Sequence, residues 1–265
     1  MTEPLRLGDY ALELELGRGA VGVVHRGRSA DGGVVAIKTF DSVLADDATF
    51  QARLAHEVRA AREIEDPHLV RILTTGDEDG HPYLVLEYLS GGSLAERLAE
   101  GPLRLEETLR VVAEVAAGVD ALHRAGIVHR DIKPSNVLFR EEGSAALTDF
   151  GLAKGAAYTV LTRPGQVLGT LDYLAPELVR GGEATPASDV YALGCVAFEC
   201  LAGRPPFADR SLFGVGTAHL DDDPPDPPAP PDVAWALLQA LEKDPGRRPD
   251  TATMYAHLLR AASRS

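Results

Sequence analysis

Apolar residues in the first third of the chain follow the period of two that marks half-buried strands, because successive side chains of a strand point to opposite faces. Residues 12–16 alternate leucine with glutamate, and the turn-forming Asp31-Gly32-Gly33 separates two β-branched runs. The pattern predicts strands at residues 12–16, 21–24, 34–40, 69–73 and 83–86. These strands are expected to form one small sheet.

A helical pattern interrupts the strands once. Five residues fall on one stripe of a helix: Phe50, Leu54, Glu57, Ala61 and Ile64. We therefore expect one helix beside the sheet, with this stripe facing it.

The rest of the chain is predicted to be mainly helical, after a break at Ser90-Gly91-Gly92 that we take as the boundary between two lobes. Residues 190–201 are apolar on all sides, as in a buried central helix, and Thr185-Pro186 suits its N-cap and first position. Further helices are expected at residues 105–122, 237–241 and 254–259. The proline-rich residues 224–231 are interpreted as a stiff link, with a polyproline ligand as the alternative. The fold class is therefore α+β.

Composition and charge exclude several classes of protein. No run among the 265 residues approaches the roughly 20 apolar residues of a membrane span, and the N-terminus lacks a signal-peptide pattern. A net charge of −14 disfavours binding to nucleic acid or to an anionic membrane surface. Cys195 and Cys200 share one apolar segment, which is typical of buried core residues and fits a reducing cytoplasm.

A glycine-rich segment, Gly17-Arg18-Gly19-Ala20-Val21-Gly22, lies between two predicted strands. Alone it is a weak signal: an ordinary glycine-rich turn fits as well, and a dinucleotide-binding loop would require a helix to follow. Because Val23 and Val24 continue as strand, we favour a β-hairpin whose tip lets backbone N–H groups approach phosphate groups.

Lys38 ends the run Val34-Val35-Ala36-Ile37-Lys38 within a predicted strand, and a charge among apolar neighbours is costly unless it is paired. Glu57 is the only charged residue of the helical stripe, so it is the expected partner of Lys38. Glu63 and Glu65 are the rival partners, but they lie off the stripe or at its end. A Lys38–Glu57 ion pair would place the ammonium group near phosphate oxygens.

Two short segments have the chemistry of phosphoryl transfer. That reaction needs an acceptor for the proton of the attacking hydroxyl and hard oxygen ligands for Mg²⁺. Asp131, in His129-Arg130-Asp131, meets the first need. Asn136 and Asp149, the latter in Asp149-Phe150-Gly151, meet the second. Their order and spacing together indicate a phosphotransferase.

With these motifs the chain resembles the eukaryotic-like protein kinase superfamily over nearly its whole length, and within it the bacterial serine/threonine kinases. The resemblance implies a bilobal kinase fold. Its N-terminal lobe, residues 1–89, would hold an antiparallel five-stranded sheet plus one helix, and its C-terminal lobe, residues 90–265, would be mainly helical. It also implies ATP and Mg²⁺ (or Mn²⁺) as cofactors and serine or threonine hydroxyls of proteins as acceptors.

The resemblance assigns further roles around the catalytic loop. Lys133 resembles the lysine of serine/threonine kinases that neutralises the transferring phosphoryl group. His129 is expected to orient the loop without transferring protons. Arg130 resembles the arginine that binds a phosphorylated activation loop, and Asp189 resembles the aspartate that anchors the catalytic-loop backbone.

Two other sets of residues follow from the resemblance. Gly169-Thr170 and Ala175-Pro176-Glu177 resemble the end of an activation segment, and Glu177 would pair with Arg248. Leu86 takes the gatekeeper position, with Glu87 and Leu89 as hinge residues that bind adenine through backbone groups. The expected nucleotide-binding set is Gly17, Arg18, Gly19, Ala20, Val21, Gly22, Val24, Ala36, Lys38, Leu86, Glu87, Leu89, Asn136, Leu138 and Asp149.

Some positions depart from the family pattern. Val21 stands where relatives often have Phe or Met, which implies a looser phosphate lid. Ser93 and Ser135 stand where kinases that favour basic substrates often carry Glu, so no strong preference for upstream arginine is expected. In the activation loop, Thr162 is the first candidate for autophosphorylation and Thr159 the second, with an unmodified loop as the alternative.

Two other functions compete with an active protein kinase. A pseudokinase or nucleotide-sensing scaffold would typically lack Lys38, Asp131 or Asp149, and all three are present. A small-molecule kinase is disfavoured by Lys133 and by Ala175-Pro176-Glu177, which resemble a peptide-positioning apparatus. The expected partners are protein substrates in the cytoplasm, with no nucleic acid and no membrane segment. A homodimer through the N-terminal lobe, as in some family members, stays open.

Overall fold

The computed structural model describes residues 5–19, 21–149, 171–208 and 210–265. These residues divide into two compact units. The first contains residues 5–65 and 70–89, and the second contains the described parts of 66–69, 90–151 and 167–265. Within the described ranges, no helix is both long enough and apolar enough to cross a membrane.

The first unit is built on an antiparallel sheet with strand order β1-β2-β3-β4-β6-β5. The strands are β1 (Arg6–Leu7), β2 (Tyr10–Gly19), β3 (Gly22–Arg28), β4 (Val34–Phe40), β5 (Ile72–Glu78) and β6 (His81–Glu87). β4 has the bounds predicted from its β-branched run. The antiparallel sheet of the kinase fold is thereby confirmed.

The prediction of five strands was wrong by one. The sixth strand, β1, pairs Arg6 with Ala11 and Leu7 with Tyr10 across a tight turn, in which Gly8 has a φ of +54°. Two residues are too few to show a period, so the sequence pattern cannot reveal such a strand.

The strand predicted at residues 69–73 is displaced. β5 starts at Ile72 and continues through polar residues to Glu78, while Leu69 makes an isolated bridge to Leu147 in the second unit, to which both residues belong. The apolar run reflects the burial of Leu69 and Val70, whereas β5 lies at the sheet edge and exposes much of its length.

Among the described residues, two helices rather than the single one predicted accompany the sheet. These are α1 (Ser42–Ala45) and α2 (Ala48–Arg62). Asp41 caps α1, and Asp47 caps α2 by accepting from the N–H groups of Thr49 (2.8 Å) and Phe50 (3.3 Å). The four residues of α1 make a single turn, which is too short for a helical period.

The second unit is mainly helical, as predicted. The helices within its described parts are α3 (Leu94–Ala99), α4 (Leu105–Arg124), α5 (Pro176–Val179), α6 (Pro186–Ala202), α7 (Leu212–Asp221), α8 (Pro231–Leu238) and α9 (Ala252–Ala262). A short hairpin of β7 (Val137–Phe139) and β8 (Ala145–Leu147) adds to them. 3₁₀ helices lie at Pro134–Asn136, Leu171–Tyr173, Gln239–Leu241 and Pro245–Arg247.

α6 is the buried centre of this unit, as its apolar sequence predicted. Thr185 is its N-cap and Pro186 its first residue, and Gly203 ends it in the left-handed conformation with a φ of +73°. Residues 224–230 have no regular structure, and α8 begins at Pro231, so this closing helix lies earlier than residues 237–241.

α9 receives its N-terminal cap from another helix. The Asp120 carboxylate, on α4, accepts from the backbone N–H groups of Ala252 and Thr253, both at 3.0 Å. Thr251 adds a cap of its own by accepting from the N–H of Met254 at 3.0 Å.

Replacing Asp120 with alanine is expected to lower the free energy of unfolding by about 1–3 kcal/mol, because two helix N–H groups would lose a charged acceptor. Chemical denaturation measures this change. Asp226, exposed in the proline-rich segment, provides the matched control: Asp226→Ala should change stability by less than about 0.5 kcal/mol. Equal losses in both variants would show that the cap contributes nothing.

Candidate active site

Residues 129–136 form a loop between α4 and β7 that is fixed by one buried carboxylate. Asp189, in the first turn of α6, accepts from the backbone N–H groups of His129 (2.8 Å) and Arg130 (2.9 Å). It also bonds to Nε2 of His123 at 2.7 Å. Arg130 is held in the left-handed conformation, with a φ of +68°. Asp189 therefore determines the position and the backbone course of this loop.

His129 ties the same loop to the end of β8. Its ring is fully buried, Nδ1 accepts from the backbone N–H of Asp131 (3.1 Å), and Nε2 lies 3.0 Å from the carbonyl oxygen of Thr148. This pattern assigns the proton to Nε2. Burial lowers the pKa of His129, although the nearby carboxylates of Asp189 and Asp131 act against it. The neutral ring orients the loop through two backbone contacts.

Asp131, Lys133 and Asn136 are brought together on this loop. Lys133 Nζ lies 2.9 Å from Asp131 Oδ2. The side-chain amide of Asn136 donates to the backbone oxygen of Asp131 (2.8 Å) and to its Oδ2 (3.0 Å). A carboxylate, an ammonium group and an amide thus occupy one small region.

Asp149 directly follows Thr148, which contacts both His129 and Asn136 of the loop. The backbone N–H of Thr148 donates to the carbonyl oxygen of Asn136 at 2.9 Å, and Asp149 itself has a φ of +62°. A non-glycine residue in this conformation is strained, and such strain concentrates at functional sites.

The residues present fit a hard divalent cation. The NH₂ group of Asn136 points at Asp131, which directs the amide oxygen to the other side, and Asp149 adds a carboxylate. Amide and carboxylate oxygens are the protein ligands that Mg²⁺ prefers.

In the first unit the glycine-rich segment lies at the turn of the β2–β3 hairpin, where Gly17 pairs with Val24 and Gly19 with Gly22. The hairpin interpretation is confirmed, because a strand and not a helix follows. A side chain at Gly22 would collide with the backbone of Thr39 at 1.9 Å. At Gly17 and Gly19 a Cβ would meet nothing within 4 Å. Packing therefore does not require these two glycines, whereas a phosphate group close to the backbone would.

The other expected residues of this unit lie on its strands and on α2. Lys38, on β4, is 8% exposed, and Glu57 is partly buried on α2. Ala36 and Leu86 are buried and paired across β4 and β6, and Val24 is partly buried on β3. The two expected hinge residues lie at the end of this sheet strand: Glu87 is the last residue of β6, and Leu89 follows two residues later. Glu87 also contacts Arg71, accepting from its backbone N–H at 2.9 Å.

Glu177 and Arg248 form an ion pair in which Arg248 is buried and Glu177 partly buried, with both guanidinium–carboxylate distances at 2.8 Å. Ser188 donates a further hydrogen bond to Glu177 (2.7 Å), and the Tyr191 ring lies 4.8 Å from the guanidinium. Burial acts to raise the pKa of Glu177, but the hydrogen bonds from Arg248 and Ser188 outweigh it, and the pKa is lowered. The geometry is that of a fixed bidentate pair.

A cavity of about 330 Å³ adjoins Lys133 in the second unit. Lys133, Ser135, Tyr173 and Glu199 line it together with residues of α3. The Tyr173 hydroxyl donates to Glu199 at 2.6 Å. Burial raises the pKa of Glu199, in spite of this bond.

Several residues have structural roles that were not predicted from the sequence. Ser93 is the N-cap of α3 in a reciprocal capping box with Glu96, which explains serine at this position. His123, a residue that no sequence motif singles out, contacts Asp189. Leu138 is partly buried on β7. The remaining expected site residues, Ala20, Phe150, Gly151, Thr159, Thr162 and Thr170, lie outside the described residues.

Comparison with known proteins identifies the family. The family model described as protein kinase domain matches residues 10–259. A serine/threonine-protein kinase of Corynebacterium efficiens is 42% identical over 252 residues, which are 91% of this chain and 48% of that protein. PrkC of Bacillus subtilis is 40% identical over 82% of this chain and 35% of its own. The chain thus spans about half or less of the length of these two relatives.

The fold agrees with that assignment. The crystal structure of the PknI kinase domain of Mycobacterium tuberculosis matches this structure with a TM-score of 0.78 at 26% identity, over 100% of both chains. The chain belongs to the protein kinase family, with bacterial serine/threonine-protein kinases as its relatives.

Proposed function

We propose that this domain transfers the γ-phosphoryl group of ATP to serine and threonine hydroxyls of proteins. The observation that carries the proposal is the convergence of Asp131, Lys133 and Asn136 on one loop, held by Asp189. Kinase catalysis consists mainly of positioning and charge stabilisation, and both demand a rigid loop of this kind.

Each residue of the loop takes one part of the reaction. Asp131 accepts the proton of the acceptor hydroxyl, and Lys133 places a positive charge beside it, where the phosphoryl group is transferred. Asn136 and Asp149 would hold the divalent cation, for which we propose Mg²⁺ with Mn²⁺ as a substitute. When bound, the cation and ATP supply charge neutralisation and the phosphoryl group.

The first unit binds the nucleotide in this proposal. The open backbone at Gly17 and Gly19 approaches the phosphate groups. Lys38, buried on β4, pairs with Glu57 and contacts phosphate oxygens. Backbone groups of Glu87 and Leu89 bind the adenine ring.

Autophosphorylation of the activation loop is the proposed control, with Thr162 as first site and Thr159 as second. Arg130 supports this proposal. Its Nε atom is buried and has no hydrogen-bond partner within the described ranges, which suits a guanidinium that binds a phosphate group. A signalling role is proposed with this control. A cytoplasmic location is proposed because Cys195 and Cys200 are both free and buried.

Removal of the divalent cation tests the proposal. The purified domain is incubated with radiolabelled ATP, Mg²⁺ and several generic proteins, and the labelled residues are mapped by mass spectrometry. We expect labelled serine or threonine, including Thr162 or Thr159, and a loss of more than about 100-fold in rate with a chelator. Mn²⁺ should restore activity in part. Nucleotide binding with no transfer to any protein would contradict the proposal and favour a scaffold.

A further inference from the structure

His219, on α7, lies fully buried in an aromatic cluster of the second unit. Its ring meets those of Tyr191 and Phe207 edge to face, with centroid distances of 5.6 and 4.9 Å. Lys243 closes the cluster: its Nζ lies 4.8 Å from the Phe207 ring centroid and donates to the carbonyl oxygen of Ala218 at 3.1 Å. A polar ring in such a place needs hydrogen-bond partners.

One nitrogen of the ring has a clear partner. Nδ1 lies 2.8 Å from the Tyr191 hydroxyl. Nε2 is buried and makes no hydrogen bond of normal geometry within the described residues. The backbone oxygens of Leu171 and Asp172 are nevertheless near enough to raise the pKa of the ring, against the larger effect of burial. If Tyr191 donates to Nδ1, the ring proton lies on Nε2, which can then donate to these carbonyl oxygens.

The segment beside His219 lies close to Lys133. Leu171–Tyr173 is a 3₁₀ helix, and α7 packs against it. Its last residue, Tyr173, donates to Glu199 and lines the cavity together with Lys133 and Ser135. Any shift of this segment would therefore reshape the wall of the cavity next to the proposed phosphoacceptor site.

We propose that His219 is a positioning residue for the protein substrate, whose Nε2–H holds the backbone of Leu171 and Asp172 and thereby fixes Tyr173 beside Lys133. The proposal rests on the function proposed above. Tyr191 sets the ring proton on Nε2 by donating to Nδ1. His219 itself touches neither nucleotide nor reacting atoms in this arrangement.

The ring stays neutral in this role. Burial, and then the charge of Lys243, lower the pKa of His219 to about 4. Asp172 is the acidic neighbour of His219, and burial shifts the pKa of this carboxyl in the opposite direction, upward. Between pH 6 and 8 the contact is therefore expected to be constant, so the substrate KM should show no titration from His219.

Three variants test the inference by steady-state kinetics. His219→Phe retains the ring and removes both nitrogens, Tyr191→Phe removes only the hydroxyl, and His219→Gln retains a donor near the Nε2 position. We expect KM for a protein substrate to rise about three- to tenfold in His219→Phe, as for one lost hydrogen bond, with KM for ATP unchanged. Tyr191→Phe should follow in the same direction, and His219→Gln should restore most of the loss.

Tyr255→Phe is the matched control, because Tyr255 is also fully buried and bonds to the Leu237 carbonyl oxygen, remote from Leu171–Tyr173 in the sequence. It should leave the protein-substrate KM unchanged. Two outcomes would overturn the inference. One is an unchanged KM for the protein substrate in both His219→Phe and Tyr191→Phe. The other is a parallel change in the KM values for protein and ATP that matches the change in Tyr255→Phe.

Two measurements decide the inference without activity, so its failure is distinguishable from that of the proposed kinase function. A ¹⁵N spectrum of the imidazole rings, assigned with His219→Gln, should show the Nε2–H tautomer of His219 at pH 7. Backbone hydrogen exchange at residues 171–174 should be faster in His219→Phe than in wild type or Tyr255→Phe. The Nδ1–H tautomer or unchanged exchange would overturn the inference even in an active enzyme.

Discussion

Replacing Asp131 with asparagine is expected to reduce phosphotransfer by about 10²- to 10⁴-fold, the range that a positioned general base contributes. An amide accepts no proton, and it removes the negative charge beside Lys133 Nζ. The backbone contacts made by Asp189, His129 and the Asn136 amide do not depend on the Asp131 side chain. The loss should therefore fall on kcat, with folding preserved.

Turnover with Mg-ATP and a protein substrate, together with thermal unfolding, measures the two quantities. Asp226→Asn makes the same chemical change at an exposed site and should have wild-type activity. An Asp131→Asn enzyme with wild-type turnover would refute the proposed mechanism. A loss of activity that is matched by unfolding would assign Asp131 a structural role instead.

Replacing Arg248 with methionine is expected to cost about 3–5 kcal/mol of stability, because it removes a buried guanidinium and leaves the partly buried Glu177 carboxylate without its cation. The guanidinium also donates to the backbone oxygens of Glu242 and Ala187, at 2.8 Å each. For a domain of this size the melting temperature should fall on the order of 10 °C.

An exposed ion pair supplies the comparison. Arg260 and Glu106 lie 2.6 Å apart, but the Glu106 side chain is 80% exposed, so Arg260→Met should cost at most about 1 kcal/mol. The double variant Glu177→Gln, Arg248→Met should lose less than the sum of the two single losses. Equal costs for Arg248→Met and Arg260→Met would show that burial of the first pair has no energetic consequence.

The same pair predicts a dependence on pH. The pKa of Glu177 is lower in the folded than in the unfolded protein, so its stabilisation is complete above the unfolded value of about 4.5. That stabilisation is lost as the pH falls through the folded pKa. The difference in stability between wild type and Arg248→Met should therefore shrink in acid, which denaturation at pH 7 and pH 3 measures.

Sequence patterns predicted the elements that long apolar runs define. β4 and α6 were predicted as a strand and a buried helix because each contains a run of consecutive apolar residues. Thr185-Pro186 marked the start of α6. The residues of the proposed catalytic loop were predicted from the spacing of polar residues within one short segment, and the structure brings Asp131, Lys133 and Asn136 of that segment together. Local signals of this kind need no knowledge of tertiary contacts.

Other features depend on partners far away in the sequence. His123 contacts Asp189, 66 residues away, and Asp120 caps a helix start 132 residues away. The burial of His219 had a faint signal, since Val215 and Ala218 precede it on one helix face. The capping box at Ser93 was visible as serine with glutamate three residues later, and it was interpreted only as a departure from the family.

The left-handed backbone at Arg130 and Asp149 bears on attempts to engineer this domain. Each residue bears a conformational cost of about 1–2 kcal/mol that glycine would largely relieve. Selection for heat resistance alone would thus favour glycine at both positions, and it would remove the proposed cation ligand Asp149 and the proposed phosphate-binding Arg130. Thermostable variants of this domain should be sought with these two positions held constant.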